Sequence, residues 1–123
     1  MGTIVVVEPD FDVRALLAEW LTADGFTVSP FGRWPAAPEV FESAQALIVD
    51  LPSPRLQPSS AFADMHSRHP GLPVIGLSTS LSVSLGGESA FARSLGLARV
   101  LAKPCERSEL LAAAHAVLGR RAA

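Results

Sequence analysis

Three stretches of the chain are apolar without interruption: Ile4-Val5-Val6-Val7, Ala46-Leu47-Ile48-Val49 and Pro73-Val74-Ile75-Gly76-Leu77. Runs of this kind, rich in β-branched residues, are the pattern of strands covered on both faces. Each stops at a polar residue, Glu8, Asp50 and Ser78 in turn. Between the first two runs the period changes. Val13, Leu16, Leu17, Trp20 and Leu21 recur at the spacing of a helix that packs one stripe on a core. Asp10 is placed to cap that helix, Asp12 to complement its dipole and Gly25 to end it. Phe26-Thr27-Val28 then reads as a short second strand. Pro30, Pro35, Pro38 and Gly32 keep the next segment extended or turning, which leaves only a stub of helix over Glu39–Ser43.

After Asp50, the two prolines of Leu51-Pro52-Ser53-Pro54-Arg55 forbid helix and predict a rigid loop beside the carboxylate. A helix is expected over Ser60–Arg68, broken by Pro70-Gly71. Beyond Ser78 the chain is polar and glycine-bearing as far as Gly87, and a helix is expected over Glu88–Leu95, closed by Gly96. Ala98–Leu101 is a short fifth strand leading into Ala102-Lys103-Pro104. Leu110, Ala114, Val117 and Leu118 mark a last helix, which Gly119 is expected to stop, with a frayed tail from Arg120.

Five strands alternating with helical segments predict an α/β fold: one parallel sheet covered by helices on both faces. Right-handed crossovers leave few windings, and the common order for five strands is 2-1-3-4-5, with its switch point between the first and third strands. Ligands collect at that point, outside the C-terminal ends of the strands. The order brings Glu8 and Asp10 beside Asp50, with Ser78 on the neighbouring strand and Lys103 beyond it.

Composition narrows this picture. The 123 residues suffice for a single domain, 1–123, with a core that needs no disulfide or metal staple. An apolar fraction of 49% and a net charge of −2 give no footprint for nucleic acid or an anionic membrane, so neither is expected as a partner. One cysteine, Cys105, forms no internal disulfide, and no stretch has the form of a secretion signal or a membrane span. A cytoplasmic location is the expectation.

Three acids, a hydroxyl and an ammonium in one cleft have two readings. Taken singly, Asp10 is a helix cap and a lysine before proline is a surface residue. Taken together, clustered carboxylates call for a cation, and magnesium suits one or two carboxylates plus a phosphate. An aspartate can also accept a phosphoryl group when positive charge faces the transferred oxygens, and Lys103 and Ser78 are placed to help.

Glu8-Pro9-Asp10-Phe11-Asp12-Val13-Arg14, then Ile48-Val49-Asp50 with Pro54 four residues on, then Pro73-Val74-Ile75-Gly76-Leu77-Ser78, then Lys103-Pro104, resemble the receiver domain of two-component response regulators. The resemblance covers nearly the whole chain, and the order and spacing of the motifs are more specific than any one of them. It implies a flavodoxin-like three-layer sandwich and a stand-alone receiver that works in a phosphorelay. Asp50 is then the phosphoacceptor, Ser78 the hydroxyl that senses the phosphoryl group and Lys103 its ion partner. Mg2+ is implied as cofactor, held by Glu8, Asp50 and the backbone carbonyl of Pro52. The partners implied are a histidine kinase or histidine phosphotransfer protein and a downstream protein target. Such a chain is not an enzyme in the ordinary sense; it at most assists its own phosphorylation and dephosphorylation.

The chain also departs from the family. Pro9 stands second in the acidic pair, where it offers only a carbonyl. Val100 stands where a switching aromatic is frequent, Thr79 where a smaller residue is usual, and the span from Ser78 to Lys103 is slightly long. A phosphorylation-independent pseudo-receiver that binds a protein is therefore the alternative. A flavin- or nucleotide-binding protein ranks below both, because Glu8-Pro9-Asp10 is acidic and lacks the glycines or hydroxyls that cradle phosphate. Of the remaining residues, Cys105 reads as a small buried thiol, and His66 and His69 as solvated residues near a helix end with no third metal ligand. His115 needs no special role. Trp34 is expected to be partly exposed, beside the polyproline-like Pro35-Ala36-Ala37-Pro38.

Overall fold

The computed structural model describes residues 2–51, 60–79, 85–86, 92–93 and 96–122. Its elements run β1 (Thr3–Val7), α1 (Phe11–Ala23), β2 (Thr27–Phe31), a 3-10 turn (Pro38–Phe41), β3 (Ala46–Leu51), α2 (Ser60–Arg68), β4 (Val74–Ser78), β5 (Leu85–Gly86), β6 (Arg99–Ala102) and α3 (Arg107–Ala122). The five longer strands pair in parallel in the order β2-β1-β3-β4-β6. This is the doubly wound order expected from the sequence. The two-residue β5, which the sequence did not suggest, adds an antiparallel edge to β6 through Leu85 opposite Val100 and Gly86 opposite Arg99.

The helices divide the core by strand parity. Ile4 and Val6, Ala46 and Ile48, Ile75 and Leu77, and Leu101 face α1 and α3, where they meet Leu17, Leu21, Leu110, Ala114 and Leu118. Val5, Val7, Leu47, Val49, Val74 and Val100 face the other way, onto Phe41, Phe62, Met65 and Leu97. Successive strand residues point to opposite faces, so a continuous apolar run serves both clusters at once.

Several boundaries differ from expectation. β2 is longer than Phe26–Val28 and contains Pro30. It tolerates the proline because β2 is an edge strand. Thr27 donates its N–H to Gly2 and Phe31 accepts from Glu8, so the odd positions face β1 and Pro30 faces outward, where no N–H is needed. The stub of helix after Ala37 is a 3-10 turn at Pro38–Phe41 rather than Glu39–Ser43. Leu16 leaves the core stripe of α1 and is 42% exposed. The last helix runs past Gly119 to Ala122, since a glycine inside a helix costs only about 1 kcal/mol and does not oblige it to end.

Gly25 and Gly96 do act as stops. They hold φ values of 100° and 71°, the left-handed region that favours glycine. A Cβ at Gly96 would also lie 2.7 Å from Nε2 of His66. Of the helix expected over Glu88–Leu95, Ala92 and Arg93 are helical and the rest lies outside the described residues, as does the loop of Pro52, Ser53, Pro54 and Arg55.

Asp10 caps α1 by accepting the Val13 N–H at 3.0 Å. Replacing it with alanine is expected to lower stability by about 1 kcal/mol, and Leu17→Ala, at a buried core position, by about 2–5 kcal/mol. Urea unfolding should show both as shifted midpoints with the slope unchanged.

Candidate functional site

The parity that sorts the core also builds the site. Glu8 follows Val6 by two residues, Asp50 follows Ile48 and Lys103 follows Leu101, so all three continue the α1/α3 face at the C-terminal ends of their strands. There they meet. The Lys103 ammonium donates to Oε1 of Glu8 at 2.6 Å and to Oδ1 of Asp50 at 2.9 Å. These are short, charge-assisted bonds in a sheltered place: the side chain of Glu8 is 1% exposed, Lys103 13% and Asp50 19%. The backbone places the lysine as well, since its N–H donates to the Ser78 carbonyl at 2.8 Å.

Ser78 is fully buried at the end of β4. Its strand partner is Leu51, whereas Asp50 pairs with Leu77. Alternation continues Ser78 from Val74, on the face opposite Asp50. The five residues that the sequence suggested for one cleft thus divide: Glu8, Asp50 and Lys103 share one face of the sheet, Ser78 approaches from the other, and Asp10 caps α1. Pro52, the expected source of a carbonyl ligand, lies outside the described residues.

Burial alone would lower the pKa of Lys103, but the hydrogen bonds and charges of Glu8 and Asp50 outweigh it, and the pKa is raised above 10.5. Lys103 is the only lysine in the chain, all other cationic side chains of the Lys and Arg class being arginines.

Arg14 has a part that the sequence did not suggest. From the first turns of α1 its Nη1 reaches back to the Glu8 carbonyl at 2.7 Å and to the Pro9 carbonyl at 3.5 Å, while its Cζ lies 5.4 Å from the Phe11 ring centroid. Its spacing, six residues after the acid that ends β1, was the available signal. Glu8 is held from several sides: its Oε2 accepts the Asp10 N–H at 3.0 Å and its own N–H donates to the Phe31 carbonyl at 3.0 Å.

Magnesium favours hard oxygen ligands in near-octahedral array. Glu8 and Asp50 offer such oxygens, but an ammonium already bridges them, Pro9 adds no carboxylate and Asp10 is turned to its helix cap. No group of three or more metal-ligating side chains converges among the described residues. The arrangement does not fit a divalent ion as it stands.

A groove of about 320 Å³ opens beside the triad, bounded by Asp10, Leu16, Trp20, Thr79, Lys103 and Cys105. A larger hollow of about 430 Å³, between Trp34–Ala36 and α2, shares no residue with the triad, so the chemistry favours the smaller one. Cys105 is half-buried, and burial first, then the nearby Glu109, push its thiol pKa up, as suits an unreactive thiol. His66 and His69 are less solvated than expected. His66 stacks on Phe62 with its Nδ1 buried and unpartnered among the described residues, and His69 lies 6.3 Å from the Phe41 ring. His115, given no role by the sequence, meets Asp24 at 2.5 Å and ties α3 to the end of α1. Trp34 is half-buried against Phe41 and Phe62. Val100 is fully buried in the α2-side core. No helix among the described residues is long and apolar enough to cross a membrane.

No family sequence model matches the chain, and comparison with curated protein sequences also gives no match. Solved structures do match. A response regulator receiver domain protein from Clostridium thermocellum superposes with a TM-score of 0.73 at 19% identity, over 98% of this chain and 97% of the other. A CheY-like receiver domain protein from Methanospirillum hungatei gives 0.75 at 17%, over 98% and 95%. The receiver domain of DrrB, described as BeF3-activated, gives 0.71 at 20%, over 97% and 98%. The chain has the flavodoxin-like fold of receiver domains over nearly its whole length.

The raised pKa of Lys103 has a defined sign. The stabilisation that its charge provides is complete below 10.5, the value of the free side chain, and is lost as pH rises through the higher folded value. The chain has no tyrosine and no second lysine in that window, and the Cys105 thiol, which also titrates at alkaline pH, is common to wild type and variant. Urea unfolding above pH 10.5 should show wild-type stability falling towards that of Lys103→Met. Below that pH, Lys103→Met should be less stable by about 3–5 kcal/mol, the cost of stranding one side of a buried ion pair.

Proposed function

We propose that the chain acts as a receiver of a two-component system, a switch that accepts a phosphoryl group on Asp50 and signals by binding a protein or passing the group on. The observation that carries this reading is the Lys103 ammonium at 2.9 Å from Asp50 Oδ1, at the C-terminal edge of a sheet wound as in receiver domains. Ligand chemistry in such sheets gathers at that edge, next to the switch point between β1 and β3.

In this reading, Oδ2 of Asp50 attacks the phosphorus of the donor while Lys103 holds Oδ1. A new O–P bond forms as the bond to the donor's leaving group breaks, and the leaving group departs with the electron pair. Lys103 then faces the transferred oxygens as their counter-charge, and Ser78 supplies a hydrogen bond from the other face of the sheet. The phosphoryl donor is a histidine kinase or a histidine phosphotransfer protein, and the readout is a downstream protein. The chain is a phosphoacceptor that assists its own phosphorylation and dephosphorylation, and the reading places it in the cytoplasm with such kinases.

Incubation with acetyl phosphate, with MgCl2 present or absent, followed by intact-mass measurement, is expected to give a single phosphoryl adduct. Asp50→Asn should remove it, and Lys103→Met should reduce it. An adduct that persists in Asp50→Asn, or none with any donor, would sink the phosphoacceptor reading.

A second reading, a pseudo-receiver that binds its partner without phosphorylation, is favoured by Pro9 and by Val100 in the buried core. It expects partner binding to survive Asp50→Asn unchanged, which pull-down with the identified partner would decide.

A further inference from the structure

We infer that the cleft carries its own cation: the ammonium of Lys103 stands between Glu8 and Asp50 where a divalent metal would have to bridge them, and the resting protein binds no such metal there. Two carboxylates this close need a positive charge between them. A metal ion or a side chain can supply it. Here the side chain does so, with one ammonium proton directed to each carboxylate, at 2.6 and 2.9 Å.

Several further oxygens at the end of β1 are engaged as well. Oε2 of Glu8 holds the Asp10 N–H, Oδ1 of Asp10 holds the Val13 N–H, and the Glu8 and Pro9 carbonyls receive Arg14. Every one of these donors is an N–H group of the chain itself. For a metal to enter, Lys103 must give up two charge-assisted bonds, one of them to a carboxylate that is 1% exposed and sealed from solvent. The ion would gain few ligands in return, because Pro9 contributes no side-chain oxygen and Oδ1 of Asp10 is held by its cap. Magnesium also sheds its own water reluctantly, so a site that offers two contested carboxylates competes poorly with solvent.

This inference does not depend on phosphorylation of Asp50. It makes the resting charge of the cleft a property of the chain and leaves Lys103 as the cation that an incoming phosphoryl group would meet there.

A single lysine makes the test direct. Protein labelled with 13Cε-lysine should give one lysine ε resonance, that of Lys103. Titration of the full chain with MgCl2 is expected to leave its position unchanged, and MnCl2 to leave its width unchanged, with no rise in Tm from either ion. A saturable shift with Mg2+, or selective broadening with Mn2+ accompanied by a rise in Tm, would overturn the inference in the wild-type protein alone, whether or not any variant folds. Lys103→Met supplies the converse. With the ammonium gone, Glu8 and Asp50 face each other unneutralised, and Mg2+ should raise the Tm of that variant as it does not raise that of the wild type. A folded Lys103→Met protein indifferent to Mg2+ would show that the lysine is not what excludes the metal. Because neither arm uses a phosphodonor, failure here is separate from failure to form an Asp50 adduct.

Discussion

An ammonium shared by two carboxylates is the interaction on which the functional end of this protein depends. Glu8 is buried almost completely, and an unpaired charge there would cost far more than a gap in the apolar packing around it. Lys103 removes that cost, and in doing so it ties the ends of β1, β3 and β6 together. The surrounding hydrogen bonds serve the same arrangement. Arg14 and the Asp10 N–H fix the position of Glu8, and the Ser78 carbonyl fixes the backbone from which Lys103 projects. The sheet contributes position, and the polar groups at its edge convert position into a charged site.

The two sides of the sheet are finished differently. On the α1/α3 side, helices with regular stripes cover the strands, and the triad emerges from that face. On the other side the crossover between β2 and β3 is nearly helix-free, because Pro35 and Pro38 interrupt it and leave only the 3-10 turn at Pro38–Phe41. Aromatic rings do the covering instead: Trp34 packs on Phe41 and Phe62, and Phe62 in turn stacks on His66. Large planar side chains bury much area per residue, so a segment without regular structure can still close a core. The hollow between Trp34 and α2 is the space left by that substitution.

Particular residues show which information was local. The strand runs, the helix over Ser60–Arg68 and the Asp10 cap were legible because each depends on neighbours in sequence: an apolar run, a break at Pro70-Gly71, a carboxylate before a helical stripe. The strand order was legible through the restriction on right-handed crossovers. Pro30 inside β2 and the exposure of Leu16 were not, since an edge strand is recognised only once the sheet is assembled, and a helix stripe does not reveal how wide a face its neighbours will cover. Gly119 misled for a related reason: a glycine that ends helices elsewhere is tolerated when the chain continues as helix.

At the site the division is sharper. The sequence by itself determined which chemical groups end the strands, Glu8, Asp50, Ser78 and Lys103, because the ends of apolar runs are local features, and the winding of the sheet brings those ends to one edge. Only the tertiary structure decided how they combine. Parity put three of them on one face and Ser78 on the other, and distances of 2.6 and 2.9 Å gave both carboxylates to one ammonium. The physical reason is range. Strand and helix formation answer to neighbours a few residues apart, whereas Lys103 lies 95 residues from Glu8 and 53 from Asp50, and a charge pair across such separations exists only after the sheet has folded.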